Sequence, residues 1–191
     1  RQRLRYPSSP LSCSIFMLFA SGTANNCVTV CIFSKSCRRR YDFVAHTDTV
    51  TDFYLETYPQ TAAPIDGAVQ VVSACVDRLP TGVVSNSYPD VQYGKLQTLG
   101  LRHHFRCIVL SEEYGGPRKP APEIFRKGCE LLGSQPAETL YVGDSFDKDV
   151  IGARGAGLIP CWYNPDQLPT PEGQAAADVQ LRKLEDLLEL I

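Results

Sequence analysis

Apolar residues along this chain follow two rhythms, and from Tyr41 onward the pattern becomes regular. Gly82-Val83-Val84, Phe105 to Leu110, Leu140-Tyr141-Val142 and Leu158 to Tyr163 are short runs that are apolar at consecutive positions, as in strands buried on both faces. Longer stretches between them carry apolar residues at helical spacing. Residues 42–58, with Phe43, Val50, Phe53, Tyr54 and Tyr58, predict a helix stopped by Pro59, which cannot continue the ladder. Residues 66–78 predict a second helix, with Asp66 as N-cap before Ala68, Val69, Val72 and Val76. Helices over 89–99, 120–132 and 147–156 are each closed by a glycine (Gly100, Gly133, Gly157), and a last helix is expected over 180–190. Strands alternating with helices of this length predict an α/β fold with a doubly wound parallel sheet. Ligands of such sheets bind at the carboxyl ends of the strands.

The first 40 residues lack a clean period. Val28 to Phe33 predicts a strand. Ile15 to Ala20 is apolar, preceded by Arg1, Arg3 and Arg5 and followed by Ser21-Gly22. That pattern is leader-like, but the run is short for a leader and far short of the ~20 residues of a membrane span. The chain starts at Arg1 rather than Met, so a gene fragment or a misassembled start is one expectation for this segment.

Composition narrows the picture. Of 191 residues 43% are hydrophobic and 21% charged, with a net charge of -2. A core can be buried, and no basic excess points to nucleic acid. Eight cysteines (Cys13, Cys27, Cys31, Cys37, Cys75, Cys107, Cys129, Cys161) show no CxxC pair and no finger-type histidine spacing. They read as small apolar residues in a reducing, cytoplasmic setting, without a zinc module and without a membrane partner.

Three polar constellations lie where such a sheet places its ligand. Ser85-Asn86-Ser87 follows the strand Val83-Val84; a hydroxyl and backbone N–H groups at a strand-to-helix turn can hold phosphate oxygens, although a Ser87 helix cap explains them as well. Lys119 precedes Pro120-Ala121-Pro122-Glu123-Ile124-Phe125; most lysines are simply solvated, but one before a proline-started helix can reach across the sheet edge. In Val142-Gly143-Asp144-Ser145-Phe146-Asp147-Lys148-Asp149, Asp144 ends a strand and Asp149 opens a helix. These two carboxylates can converge on one hard cation such as Mg²⁺, or serve as favourable charge at a helix start.

In this order the three motifs resemble the haloacid dehalogenase superfamily, over roughly residues 42–191. Ile159-Pro160-Cys161-Trp162-Tyr163-Asn164-Pro165 is similar to its branch of nucleotidases and small-phosphate phosphatases. The resemblance implies a Rossmann-like core over 81–191, a partial helical cap and return to the core over 41–80, and an atypical segment over 1–40. It implies that Ser85 and Lys119 are catalytic, that Ser85, Asn86 and Lys119 bind phosphate, and that Asp144 and Asp149 serve Mg²⁺, with Asp149 either assisting the metal or orienting Lys119. The substrate would be a small phosphorylated metabolite, nucleoside monophosphates included, hydrolysed through an aspartyl phosphate. Dehalogenation fits less well, because the retained Asp144 and Asp149 imply a metal that it does not use.

The family opens with an apolar strand ending in Asp-x-Asp, whose first aspartate is the nucleophile. No Asp-x-Asp precedes Ser85; the only one is Asp147-Lys148-Asp149. Ser34-Lys35-Ser36 and His46-Thr47-Asp48 are poor substitutes. They leave 51 (85 − 34) or 39 (85 − 46) positions before Ser85, too few for the helical cap. The expectation is an impaired enzyme, or alternatively a non-catalytic phosphate-, metal- or partner-binding relative. A lost first strand would also expose a sheet edge.

Overall fold

The computed structural model describes residues 14–17, as backbone, and residues 55–191. Six strands form one parallel sheet: β1 (Ser14–Met17), β2 (Thr81–Ser85), β3 (Cys107–Leu110), β4 (Thr139–Gly143), β5 (Ile159–Tyr163) and β6 (Val179–Leu181). Their order across the sheet is β3-β2-β1-β4-β5-β6. β1 is central, with Ile15 opposite Thr81 on one side and Leu140 on the other. The place of the first strand is therefore filled, and by Ser14–Met17, not by the strand expected at Val28 to Phe33, which lies outside the described residues. The expected exposed edge in mid-sheet does not arise. Ser34 to Ser36 and His46 to Asp48 also lie outside the described residues.

Helices α1 (Ala68–Val76), α2 (Pro89–Thr98), α3 (Pro122–Leu132) and α4 (Ile151–Ala156) cover the faces. Side chains alternate along a strand, so neighbouring residues serve opposite layers. Val83, Leu140, Val142 and Cys161 pack with Ala68, Val71 and Val72 of α1 and Leu96 of α2. Val84, Val109 and Tyr141 pack with Ile124, Phe125 and Leu132 of α3 and Ala153 and Ala156 of α4. Val83, Val84 and Phe125 are wholly buried, each such side chain contributing about 1.5–3 kcal/mol of transfer free energy.

Two elements differ from expectation. Asp66 does not cap α1: the N-cap is Gly67, at φ 76° and without a side-chain hydrogen bond, a backbone conformation that favours glycine. A Cβ there would also lie 2.4 Å from the Glu185 carboxyl carbon. The helix expected over 180–190 is instead β6 followed by a 3₁₀ segment, Leu184–Glu189. Of the helix expected over 42–58, residues 55–57 are helical, Tyr58 is a turn residue, and residues 42–54 lie outside the described residues. Among the described residues no helix is long and apolar enough to cross a membrane.

Candidate functional site

β2 and β4 flank β1 and run parallel, so Ser85 at the end of β2 and Asp144 just past β4 emerge on the same rim. Ser85 is buried at 6% exposure, and among the described residues its hydroxyl has no hydrogen-bond partner. A buried polar group left unsatisfied is costly; a ligand oxygen would relieve it. Ser87 does not cap α2, whose N-cap Tyr88 makes no side-chain cap bond. Asn86 is spent on the Lys119 backbone: its amide Nδ2–H donates to Lys119 O (2.9 Å) and its Oδ1 accepts from Lys119 N–H (2.7 Å). That exchange fixes the loop carrying Lys119 to the end of β2. The Lys119-Pro120 peptide is cis.

The Lys119 side chain turns inward. Its Nζ donates to Asp149 Oδ1 at 2.7 Å, with the two side chains 3% and 1% exposed. It also donates to the Tyr141 phenol oxygen at 3.0 Å. Burying two charges is expensive, and only a close pair with its other groups satisfied offsets the loss of water. The other groups are satisfied: Asp149 Oδ2 accepts from Ser145 N–H at 3.0 Å, and the Tyr141 hydroxyl lies 3.3 Å from Asp149 Oδ1 and 3.1 Å from Val84 O. The two oxygens of Asp149 are thus both engaged within the protein, Oδ1 with Lys119 and Oδ2 with the Ser145 amide.

Asp149 occupies this position through a local irregularity. The helix after β4 opens with one π turn, Phe146–Val150, before continuing as α4. Ser145 Oγ caps it by accepting from Lys148 N–H at 3.3 Å. Insertions of this type recur at functional sites because they redirect a side chain without ending the helix. Gly143 leaves the room: a Cβ there would fall 2.4 Å from Asp149 Cβ and 2.6 Å from its Oδ2.

Asp144 and Asp147 remain exposed, whereas Asp149 is buried. Partial burial at the sheet end and the Asp149 carboxylate push the Asp144 carboxyl upward, against its own and the Ser145 backbone amides and Lys119. Burial, then Asp149, holds the Tyr141 phenol well above its usual range, so it stays neutral. The Asp144 turn is pinned from outside the rim. Trp162 Nε1–H donates to Asp144 O at 3.0 Å, and Phe146 sets its ring edge-on to Trp162, with centroids 4.9 Å apart.

Asn86, Lys119, Asp149 and the Asp144-Ser145 turn are thus linked by successive contacts, with Ser85 one residue away. Sequence reasoning passed over Tyr141 and Trp162. A tyrosine inside a wholly buried strand was the available signal, since its hydroxyl must find a partner. Among the described residues no group of three or more His, Cys, Asp or Glu side chains gathers as a metal cluster.

Residues 34–157 match the model of the haloacid dehalogenase-like hydrolases. The chain is 32% identical over 142 residues to the pyrimidine 5'-nucleotidase YjjG of Escherichia coli K12, covering 73% of this chain and 63% of that protein. It is 44% identical over 78 residues to a glyceraldehyde 3-phosphate phosphatase of Methanopyrus kandleri, covering 41% of this chain and 33% of that one. It therefore spans less than two thirds of these relatives. Among solved structures, the magnesium-bound HAD-hydrolase YfnB of Bacillus subtilis superposes with a TM-score of 0.72 at 29% identity, covering 88% of this chain and 73% of that one.

Proposed function

Because this chain belongs to the haloacid dehalogenase-like hydrolase family, we propose that its rim is a phosphatase-type site for a small phosphorylated metabolite beside Mg²⁺, with turnover impaired. One observation carries the reading: a sealed Lys119–Asp149 pair, tied on one side to Asn86, next to Ser85, and on the other to the amide of Ser145, next to Asp144.

The donors suit these ligands unequally. The Ser85 hydroxyl, without a hydrogen-bond partner among the described residues, suits a phosphoryl oxygen. The Asn86 side chain is occupied by Lys119, so its part in phosphate binding falls to its backbone N–H. Asp144 offers an exposed carboxylate, and Mg²⁺ accepts one or two carboxylates while retaining waters. Asp144 would hold the ion directly, with Asp149 acting through Lys119. When bound, the ion neutralises charge on a phosphoryl oxygen. Lys119 supplies a fixed positive charge from below, Ser85 orients the anion, and Trp162 steadies the Asp144 turn. Catalysis of phosphoryl transfer is mostly positioning and charge stabilisation of this kind. The names of the relatives support the substrate class: one is a pyrimidine 5'-nucleotidase and another a glyceraldehyde 3-phosphate phosphatase. The described cysteines are free thiols, in keeping with a cytoplasmic setting. Residues 41–80 would then be the cap remnant and its return, and 81–191 the core.

The impairment follows from what comes after β1. Leu18-Phe19-Ala20-Ser21 leaves that strand, and no Asp or Glu occurs before Asp42. The family match begins at residue 34, beyond β1. A non-catalytic, phosphate- and metal-binding role is the second reading, favoured by this same absence. Losing one member of a cooperating catalytic set costs many powers of ten.

Trp162 is the single tryptophan and bonds to Asp144, so its fluorescence reports on the site. Titration with MgCl₂ and inorganic phosphate should change its emission, and Asp144→Asn should abolish the Mg²⁺ response. A silent wild type, or a variant that responds like it, overturns the site. Turnover of p-nitrophenyl phosphate near the ordinary enzymatic rate of about 10 s⁻¹ overturns the impairment.

A further inference from the structure

The carbonyls of β2 point alternately to its two neighbours. Thr81 O accepts from Arg106 N–H at 2.8 Å and Ser85 O from Ser111 N–H at 3.1 Å, both on the β3 side. The Val84 carbonyl therefore faces the β1 side. There it lies 3.1 Å from the hydroxyl of Tyr141, a residue of β4, two strands away in the sheet order. Tyr141 is 1% exposed and its ring is held edge-on by Phe125, with centroids 4.8 Å apart. Its side chain thus spans the layer beneath β1 and ends on a fixed backbone acceptor.

That arrangement has a consequence for Lys119. A phenol has one proton, and among the described residues Val84 O lies nearer to it than Asp149 Oδ1, at 3.1 Å against 3.3 Å. With its proton directed to Val84 O, the phenol oxygen is available to accept from Lys119 Nζ at 3.0 Å. An ammonium has three donors. Asp149 Oδ1 and Tyr141 take two, and these are its acceptors among the described residues. Two fixed acceptors set the rotation of the ammonium about its last bond and leave one N–H for an anion.

We propose that Tyr141 is a positioning residue for the phosphate site: it locks the Lys119 ammonium so that a single N–H is presented to the bound phosphoryl group. The proposal rests on the phosphate-site reading above and deepens it. Tyr141→Phe keeps the ring against Phe125 and removes only the hydroxyl. Lys119 can then turn, and the Val84 carbonyl loses the Tyr141 hydroxyl.

The test reads the ammonium directly. In protein carrying ¹⁵N-labelled lysine, a buried and doubly hydrogen-bonded Nζ gives a slowly exchanging resonance, assigned by its loss in Lys119→Met. In Tyr141→Phe that resonance should broaden or shift, and affinity for inorganic phosphate in saturating Mg²⁺ should fall about ten-fold, the loss expected for one misplaced charged hydrogen bond. Mg²⁺ affinity, read from Trp162, should stay within about two-fold of wild type, because Asp144 is not touched. An unchanged resonance with unchanged phosphate affinity overturns the proposal. So does a freely exchanging Lys119 Nζ in the wild type, a measurement that stands even where the variant does not fold. A protected resonance in a wild-type chain that binds no phosphate overturns instead the site reading beneath it.

Discussion

Removing the charge of Asp149 isolates the central interaction of this rim. Lys119 and Asp149 are 3% and 1% exposed and 2.7 Å apart, so neither can recover water when its partner is lost. Breaking a pair in such a setting typically costs about 3–5 kcal/mol, against about 0–1 kcal/mol for an exposed pair. Asp149→Asn keeps the shape and leaves Lys119 facing an amide that can accept but carries no charge. For a chain of this size each kcal/mol lowers Tm by about 2–4 °C, so the variant should melt some 6–20 °C below wild type. The double variant Lys119→Met/Asp149→Leu removes both charges and fills the space with apolar atoms, and should recover most of that loss. Thermal unfolding followed by circular dichroism at neutral pH, for wild type, single and double variants, decides the matter. A single variant within about 1 kcal/mol of wild type would show that the pair is hydrated. A double variant as unstable as the single would show that lost shape, and not an unpaired charge, is responsible.

Other outcomes follow from the same geometry. Gly143→Ala drives a Cβ to 2.4 Å from Asp149 Cβ and should cost about 1–3 kcal/mol by overpacking, while weakening phosphate binding in the Trp162 titration. The Asp144 carboxyl is raised in the fold, so the folded chain holds this proton more tightly than the unfolded one. Its contribution to stability is present below the ordinary value of 3.8 and is lost as pH rises through the raised folded value. Asp144→Asn should accordingly melt above wild type at neutral pH, with the gap closing toward the acid side of that window; a gap independent of pH refutes the assignment. Burial pushes the Cys75 thiol up to about 12 and the Cys107 thiol up to about 11, and raises Cys161 further. These thiols should resist a thiolate-specific disulfide reagent in the native protein and react after denaturation, as mass mapping of the labelled cysteines will show.

Much of this was legible beforehand. The strands at Val83-Val84 and Leu140 to Val142 stood out because a parallel strand covered on both faces needs apolar residues at every position. The turns that end the helices were marked by Gly100, Gly133 and Gly157, each at positive φ, where other residues are strained. Asp144 was visible as a carboxylate at a strand end, and Lys119 and Asp149 as charges at helix starts. β1 was not: four residues bounded by Cys13 and Leu18 carry no period, and their apolar run passes for a leader. β6 has three residues with a buried-exposed-buried pattern, too short to distinguish from a helical turn. The resemblance left Asp149 between the metal and Lys119, and the geometry of its contact with Lys119 depends on a π turn that no composition signals. The distant acceptor of Tyr141 became visible only once β2 and β4 were placed around β1.

The sheet order also bears on how the molecule is made. β2 and β3 are close in sequence and can pair early, as can β4, β5 and β6, but in the described sheet the two groups are joined through β1. On a ribosome β1 emerges first and has to wait for β4, roughly 125 residues behind it, or about 6–25 s at ordinary elongation speed. During that interval its backbone has an unpaired side open to other chains. The yield of intact protein should therefore respond to chaperone supply and to translation speed between residues 18 and 139 more than to changes in the strength of the finished core.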